Sequence, residues 1–340
     1  MKHLITGGSG FLGNLIARRL LAAGEQVRIL DIWDDPARPK EIEFVHCDVR
    51  DAAGVDKAIA GIDIIHHNAA LVPLTKSGKD FARVNIDGSR TVAEQAAGRV
   101  RAFIHMSSSA VYGSPACPIT LATPYRPIEI YGRAKLAGEL AVREVCEKHH
   151  TTLIVIRPRT ILGLGRLGIF QILFEWIAAG HNVFVIGDGN IKFQFVHADD
   201  LIDAYMLALR LGKPGIYNVG AAQFGTLREA LENLVCHAHS NSRVRSLPAG
   251  LTIPALRGLD FVGLSPLAPW HYLTYHKPFY FDVNPLLELG WKPRYSNDDM
   301  FRESYDWFLA NRRIAGQSQG GSPHRRRVRE GVLWLLKKIA

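Results

Sequence analysis

The chain has 340 residues, 47% of them hydrophobic and 21% charged, with a mean hydropathy of +0.01. That is too apolar for a disordered chain, lacks the uninterrupted run of ~18 apolar residues that a membrane span needs, and is long enough for one large or two closely joined domains. The net charge of +9 is uneven: residues 324–340 hold six basic side chains against Glu330 alone, net +5, leaving +4 for the other 323 residues, which points to a basic tail and away from a nucleic-acid-binding body.

The opening Met1-Lys2-His3-Leu4-Ile5-Thr6 is too short an apolar stretch for a signal peptide. Cys47, Cys117, Cys146 and Cys236 are scattered, with no CxxC, so a reducing cytoplasm is expected. In chain order, residues 3–6, 26–31, 42–46, 62–66, 102–106 and 152–157 read as short apolar strands. Between them, 11–23, 81–97 and 131–149 carry apolar residues at helical spacing. Strands buried on both faces and joined by helices predict an α/β fold with a doubly wound parallel sheet over residues 1–160. A further piece near 191–218, with a strand-like segment at 194–197, returns to that domain. Residues 161–190 and 219–315 read as a smaller mixed cap, 316–323 as a flexible linker, and 324–340 as a basic amphipathic helix.

The strongest local signal is Thr6-Gly7-Gly8-Ser9-Gly10-Phe11-Leu12-Gly13, placed after the first strand and opening the first helix. Gly7, Gly10 and Gly13 allow a tight turn, close approach of backbone N–H groups to a pyrophosphate, and helix–sheet contact. Asp31 ends the second strand, where a carboxylate accepts hydrogen bonds from ribose hydroxyls and repels a 2′-phosphate; Ile32 and Trp33 follow it, so NAD is favoured over NADP. In Tyr131-Gly132-Arg133-Ala134-Lys135 the i, i+4 spacing puts phenol and ammonium on one helix face. A neighbouring cation is expected to lower the phenol's pKa and suit Tyr131 to proton transfer with an alcohol or ketone. The serines of Ser107-Ser108-Ser109-Ala110-Val111-Tyr112-Gly113, at a strand end, offer a hydroxyl to the reacting oxygen.

Together with Cys47-Asp48-Val49, His67-Asn68-Ala69-Ala70 and Asn85, these motifs resemble the extended short-chain dehydrogenase/reductases, the NAD-dependent epimerase/dehydratase family. The resemblance runs from Met1 to about Arg313, through Phe195-Val196-His197-Ala198-Asp199-Asp200, Tyr217-Asn218-Val219-Gly220 and Leu289-Gly290-Trp291-Lys292-Pro293. It implies a Rossmann domain with a substrate cap, and selects Ser108 as the catalytic hydroxyl beside Tyr131 and Lys135. It also implies cofactor contacts from Gly7, Gly10, Phe11, Leu12, Gly13, Asp31, Asp48, Val49, Asn68, Ala69, Ala70, Asn85, Tyr131, Lys135 and Pro158, with Lys135 holding the nicotinamide ribose. A homodimer is expected.

Departures from the family pattern narrow the chemistry. Sugar-nucleotide 4,6-dehydratases place Asp-Glu after the catalytic hydroxyl; here Ser109 and Ala110 stand there, and neither can perform that elimination. Sugar-nucleotide decarboxylases also use a Glu where Ala110 stands. Sugar-nucleotide epimerases usually show R-x-x-N and then R-D-F-x-H; here Thr160 replaces the Asn and Phe193 the Arg, and the Arg usually found before the late Asp282 is missing. Forked cations hold phosphates, so these losses count; Arg159, Arg166, Lys192 and Lys277 are the cations left for that role.

What replaces the polar contacts is apolar: Leu256, Leu259, Phe261, Val262, Leu264, Leu267, Trp270, Tyr272, Leu273 and Tyr275 crowd residues 251–281. There the chain resembles the hydroxysteroid-dehydrogenase and lipid-ketoreductase branch, although such a stripe also suits cap core or a dimer contact. The tail helix suits an anionic membrane surface, on the inner face of the membrane, and equally a dock on the protein itself. His66-His67, His149-His150 and Cys236-His237-Ala238-His239 match no closed zinc spacing, so no metal is expected and structural histidines are.

The resulting expectation is an NAD-dependent oxidoreductase interconverting a secondary alcohol and a ketone on an apolar, lipid-like substrate such as a sterol, a sphingoid or ceramide-type ketone, or another keto lipid. The alternative is a nucleotide-sugar 4-epimerase with tightly held NAD. A redox-sensing binding protein without turnover is the third reading, and an intact Ser108, Tyr131 and Lys135 set argues against it.

Overall fold

The apolar residues after Met1 form β1 (Lys2–Thr6), whose neighbours Leu4 and Ile5 are both fully buried yet point to opposite faces of one sheet. The computed structural model describes residues 1–72, 80–262, 265 and 267–312. From β1 the chain runs through α1 (Phe11–Ala22), β2 (Gln26–Asp31), β3 (Glu43–His46), α2 (Ala52–Ile59) and β4 (Ile64–His67). A short turn α3 (Asp80–Ala82) passes into a wide π-helical turn (Arg83–Gly88) and then α4 (Ser89–Ala96), followed by β5 (Ala102–Met106), α5 (Ile130–Lys148) and β6 (Thr152–Pro158).

The second half holds β7 (Thr160–Leu162), α6 (Phe170–Ala178), β8 (Val183–Ile186), β9 (Phe195–His197), α7 (Ala198–Leu211) and β10 (Gly215–Val219). After these come α8 (Leu227–His237), β11 (Val244–Leu247), α9 (Ala249–Phe261), α10 (Pro269–Thr274), α11 (Asn284–Glu288) and α12 (Asn297–Ala310).

Seven strands pair in the order β10-β6-β5-β4-β1-β2-β3, every pair parallel. The doubly wound sheet expected from sequence is present, and its order reverses between β1 and β4, where such sheets bind ligands at their carboxyl ends. One face buries Ile5, Ile29, Ile104 and Ile156 under α1 and α7; the other buries Leu4, Leu30, Ile65 and Phe103 under α2, α4 and α5. Alternation between two apolar faces is why these strands read as unbroken apolar runs.

The expected bounds of the second and fifth strands match residue for residue, and the fourth starts two residues later than expected and runs on through His67. The seventh strand, β10, was not among the strands expected from sequence. It sits at the sheet edge, its first three residues only half-buried, so its apolar signal is weak; Val219, assigned to the cap, is its last residue and pairs with Pro158.

The helix expected over 81–97 is broken by the π-helical turn. There the Ser89 hydroxyl donates to Asn85 O at 2.8 Å, and the Asn85 side chain is turned to the backbone of Leu71. Small two-stranded pairings, β7 with β9 and β8 with β11, lie outside the main sheet. Among the described residues no helix is long and apolar enough to cross a membrane. The expected linker and basic tail lie outside the described residues.

Candidate active site

At the switch point β1 ends beside β4, and the chain after each strand turns into one cavity of about 710 Å³. Gly7 has φ +66°, and a Cβ there would lie 2.8 Å from the backbone of Ala69. A Cβ on Gly13 would lie 2.2 Å from Gly7 O, so neither position accepts a side chain. α1 starts from Gly10 with no side-chain cap and no acidic residue in its first turn, and Gly10, Phe11 and Leu12 line the cavity. An uncapped helix N-terminus behind a glycine cradle fits a dinucleotide pyrophosphate.

Asp31 stands at the cavity wall with its carboxylate accepting from the backbone of Ser9 at 3.1 Å and Trp33 at 3.3 Å, and burial raises its pKa. Asp48 and Val49 line the same end, Asp48 gripping Arg50 at 2.6 Å and 2.9 Å. Asn68, Ala69 and Ala70 form the adjoining wall, and Pro158 lines it from the end of β6. Asn85 is placed differently: it is buried off the cavity wall, with its amide accepting from Leu71 N at 2.8 Å and donating to Leu71 O at 3.0 Å. It shapes the wall through Leu71, which does face the cavity.

Ser108, Tyr131 and Lys135 converge on this cavity from β5 and α5. Ser108 follows β5 in extended conformation and caps the short turn Ser109–Tyr112, its hydroxyl accepting from Ala110 N at 3.2 Å. Glu129 caps α5 by accepting from Tyr131 N at 2.6 Å and from Gly132 N, which sets where the phenol enters.

The expected electrostatics of the pair need correcting. Burial holds the Tyr131 phenol above its ordinary value, while a hydrogen bond with Ser108 and the Arg166 cation pull it down. The Lys135 ammonium, buried and brought down to about 8 by desolvation, donates to Met106 O at 2.6 Å. Helical spacing brings both groups to one face, but the longer lysine carries its charge to the carbonyl that ends β5.

Buried histidines lie under the site, as expected of structural ones. His67 meets Thr6 at 2.8 Å and Ser89 at 2.9 Å; His66 meets His3 at 2.9 Å and Tyr205 at 2.6 Å. The cavity wall also takes in Trp270 and Tyr275 from the apolar segment and Arg159 and Arg166 from the candidate cations, together with Phe170 and His271, which sequence reading did not single out. The apolar segment 251–281 thus divides: Trp270 and Tyr275 face the cavity, Leu256 and Tyr272 are buried, and Leu251, Phe261 and Val262 are exposed. Phe193, in the place of the usual arginine, is fully buried and off the wall.

A doubly wound sheet, a glycine cradle at its switch point and a Ser-Tyr-Lys cluster in the same cavity define a dinucleotide-dependent enzyme of the extended short-chain dehydrogenase/reductase class. The chain belongs to the NAD dependent epimerase/dehydratase family, whose model matches residues 3–220, and with that membership NAD dependence stands. It is 42% identical over 98% of its length, and 85% of the relative's, to the uncharacterized protein y4nG of Sinorhizobium fredii (strain NBRC 101917 / NGR234). It is 32% identical to a 3-beta-hydroxysteroid dehydrogenase of Mycolicibacterium neoaurum, over 66% of this chain and 64% of that one. The UDP-glucose 4-epimerase of Thermus thermophilus, solved with NAD, superposes with a TM-score of 0.73 at 25% identity, over 91% of this chain and 99% of that one.

Proposed function

We propose that the chain interconverts a secondary alcohol and a ketone on a substrate with an apolar, lipid-like body. The observation that carries this reading is the cavity itself: Ser108, Tyr131 and Lys135 share it with Phe170, Trp270 and Tyr275, while the place of the usual diphosphate-binding arginine is a buried Phe193. NAD, when bound, supplies or accepts the hydride. Its pyrophosphate would lie on the N-terminus of α1, its adenosine ribose on Asp31, and its nicotinamide ribose on Lys135.

Ser108 donates to the substrate oxygen and orients it. Tyr131 gives that oxygen a proton in the reducing direction and removes it in the oxidising one. The Arg166 cation and the Ser108 hydroxyl favour the phenolate as it forms, while Lys135 would hold the nicotinamide ribose. The aromatic wall excludes water from the reacting carbon. The tail, residues 324–340, would bring the enzyme to an anionic membrane surface where such a substrate resides, and a homodimer is the proposed assembly.

A second reading, a nucleotide-sugar 4-epimerase, is favoured by two observations: the structural likeness to the Thermus enzyme, and the presence of Arg159 and Arg166 on the cavity wall. The deciding experiment follows absorbance of added NADH with a long-chain ketone, alongside chromatography of UDP-sugars incubated with the purified protein. NADH consumption supports the first reading. Retained NAD with interconversion of UDP-sugars replaces it with the second.

A further inference from the structure

The cavity wall contains a charge that the protein does not neutralise. Arg159 follows β6 and is 1% exposed. Its guanidinium lies between the rings of Phe193 and Phe279, 5.1 and 4.0 Å from their centroids. Nε donates to Gln194 O at 3.0 Å and Nη1 to Ser109 Oγ at 3.0 Å, while Nη2, equally buried, has no hydrogen-bond partner among the described residues.

The ionisable groups that would support its charge are the Tyr275 phenol and the Cys117 thiol, and burial raises the pKa of each, so both are neutral near pH 7. Desolvation lowers Arg159 itself to about 9, which still leaves it charged at neutral pH. A buried, uncompensated cation destabilises a fold, so its presence in a cavity needs another explanation.

The other cations left by the missing arginines do not share this arrangement. Lys192 and Lys277 are exposed and off the cavity wall, and Arg166 lies over Phe11, where it acts on Tyr131. Arg159, by contrast, is one hydrogen bond from Ser109, the residue after Ser108.

We propose that Arg159 is an anion anchor in the substrate cavity: Nη2 donates to a carboxylate or phosphate oxygen of the substrate, near the carbon whose oxygen Ser108 and Tyr131 engage. The position of that carbon rests on the alcohol–ketone reading; the anion site rests on the cavity alone. The substrate class narrows accordingly, from any apolar ketone to one carrying an acidic group close to the reacting centre, which a neutral sterol lacks. The two rings stacked on the guanidinium keep it from folding back and leave Nη2, with both of its N–H groups, to the substrate.

The test uses full-length protein saturated with NAD, so that the pyrophosphate cradle is filled. Sodium acetate and sodium phosphate are titrated separately against sodium chloride at equal ionic strength, with thermal unfolding and tryptophan fluorescence as readouts. One of the two oxyanions should raise the Tm of the wild type about 2–4 °C beyond chloride. The acetate arm identifies a carboxylate and the phosphate arm a phosphate.

Arg159→Met keeps an apolar stem between the rings and should lose the gain entirely. Arg159→Lys keeps the charge without the fork and should weaken the response about threefold or more, which serves if the methionine variant does not fold. An acetate and phosphate response no larger than chloride in the wild type overturns the assignment, and so does an undiminished response in either variant. NADH consumption is not read here, so a protein that binds the anion but turns over no ketone keeps this site and loses the alcohol–ketone reading.

Discussion

Glu139 of α5 and Arg157 of β6 form an ion pair in which both side chains are fully buried. Arg157 Nε donates to Glu139 Oε2 at 3.0 Å, and Ser107 Oγ donates to the same oxygen at 2.6 Å. The guanidinium continues to Tyr112 at 2.6 Å and Tyr125 at 2.9 Å, and the Tyr112 hydroxyl donates to Asn218 of β10 at 3.1 Å. One charge pair therefore ties β5, α5, β6 and β10 together directly behind Ser108. Removing one partner leaves the other charge buried and unanswered, which typically costs about 3–5 kcal/mol. Glu139→Ala should accordingly lower the unfolding midpoint in urea sharply. The double variant Glu139→Leu with Arg157→Met should recover most of that loss, because burying neither charge removes the desolvation cost. A double variant no more stable than Glu139→Ala would show that the hydrogen bonds, rather than the charges, set the energetics.

Tyr131→Phe removes the proton-transfer group and leaves the ring packed against Phe81, whose centroid is 6.2 Å away. Proton transfer by a placed side chain is worth about 10²–10⁴ in rate. Turnover should fall by roughly a hundredfold or more, while NAD affinity by equilibrium dialysis stays within about threefold of the wild type. Turnover within threefold of wild type would remove Tyr131 from the mechanism.

These two predictions differ in how far the sequence alone supports them. Tyr131 stands out because helical spacing and the serine-rich strand end are local patterns, and β2 and β5 are recognisable because each is a short apolar run buried on both faces. The ion pair is not visible that way, since Glu139 and Arg157 look like any charged helix face and strand end until the fold removes their solvent. Trp270, His271 and Tyr275 reach the cavity from a segment over a hundred residues beyond Tyr131, and no spacing rule connects the two. Asn85 shows the opposite failure: the motif was recognised, but its amide grips Leu71 and does not reach the cavity wall.

Acid should destabilise the fold before the carboxylates are fully protonated. Burial brings His67 down to about 3 and His271 to about 4, and puts His66 and His105 well below the usual histidine value. Between pH 6.5 and these values the unfolded chain binds protons that the folded chain refuses. Stability is therefore complete above about pH 6.5 and declines as the pH falls toward 3. Thermal unfolding in matched ionic strength should show Tm dropping steadily from pH 6.5 to pH 4. A flat Tm over that window would mean that the histidines gain protons without unfolding.

Asp31 accepts two backbone hydrogen bonds at the cavity wall, with the exposed Ile32 beside it, and is the residue proposed to meet the adenosine ribose. The nearby Arg50 is engaged by Asp48. Asp31→Ala with Ile32→Arg removes the repulsion toward a 2′-phosphate and adds a fork to meet it. The ratio of kcat/KM for NADPH over NADH should rise by at least about tenfold. A wild type that already prefers NADPH would refute this reading of Asp31.

The tail offers the last test. Residues 324–340, outside the described residues, carry Val328, Val332, Leu335, Leu336 and Ile339 at the spacing expected of an amphipathic helix, with a net charge of +5. Apolar burial and charge should add at an anionic surface, each basic residue contributing roughly 1 kcal/mol near it. Salt should weaken the attraction, because the Debye length shrinks from ~10 Å at 0.1 M to ~3 Å at 1 M. Deleting 317–340 leaves Ser108, Tyr131 and Lys135 untouched, so turnover of a dispersed substrate should persist while turnover of substrate held in vesicles falls. A helix docked on the protein itself predicts a different result, with lower Tm or an altered oligomeric state and no change in lipid affinity. Co-sedimentation with vesicles containing anionic lipid, compared between full-length and truncated protein, separates the two. Negligible sedimentation of both would retire the membrane surface and leave the lipid-like substrate to stand on the cavity alone.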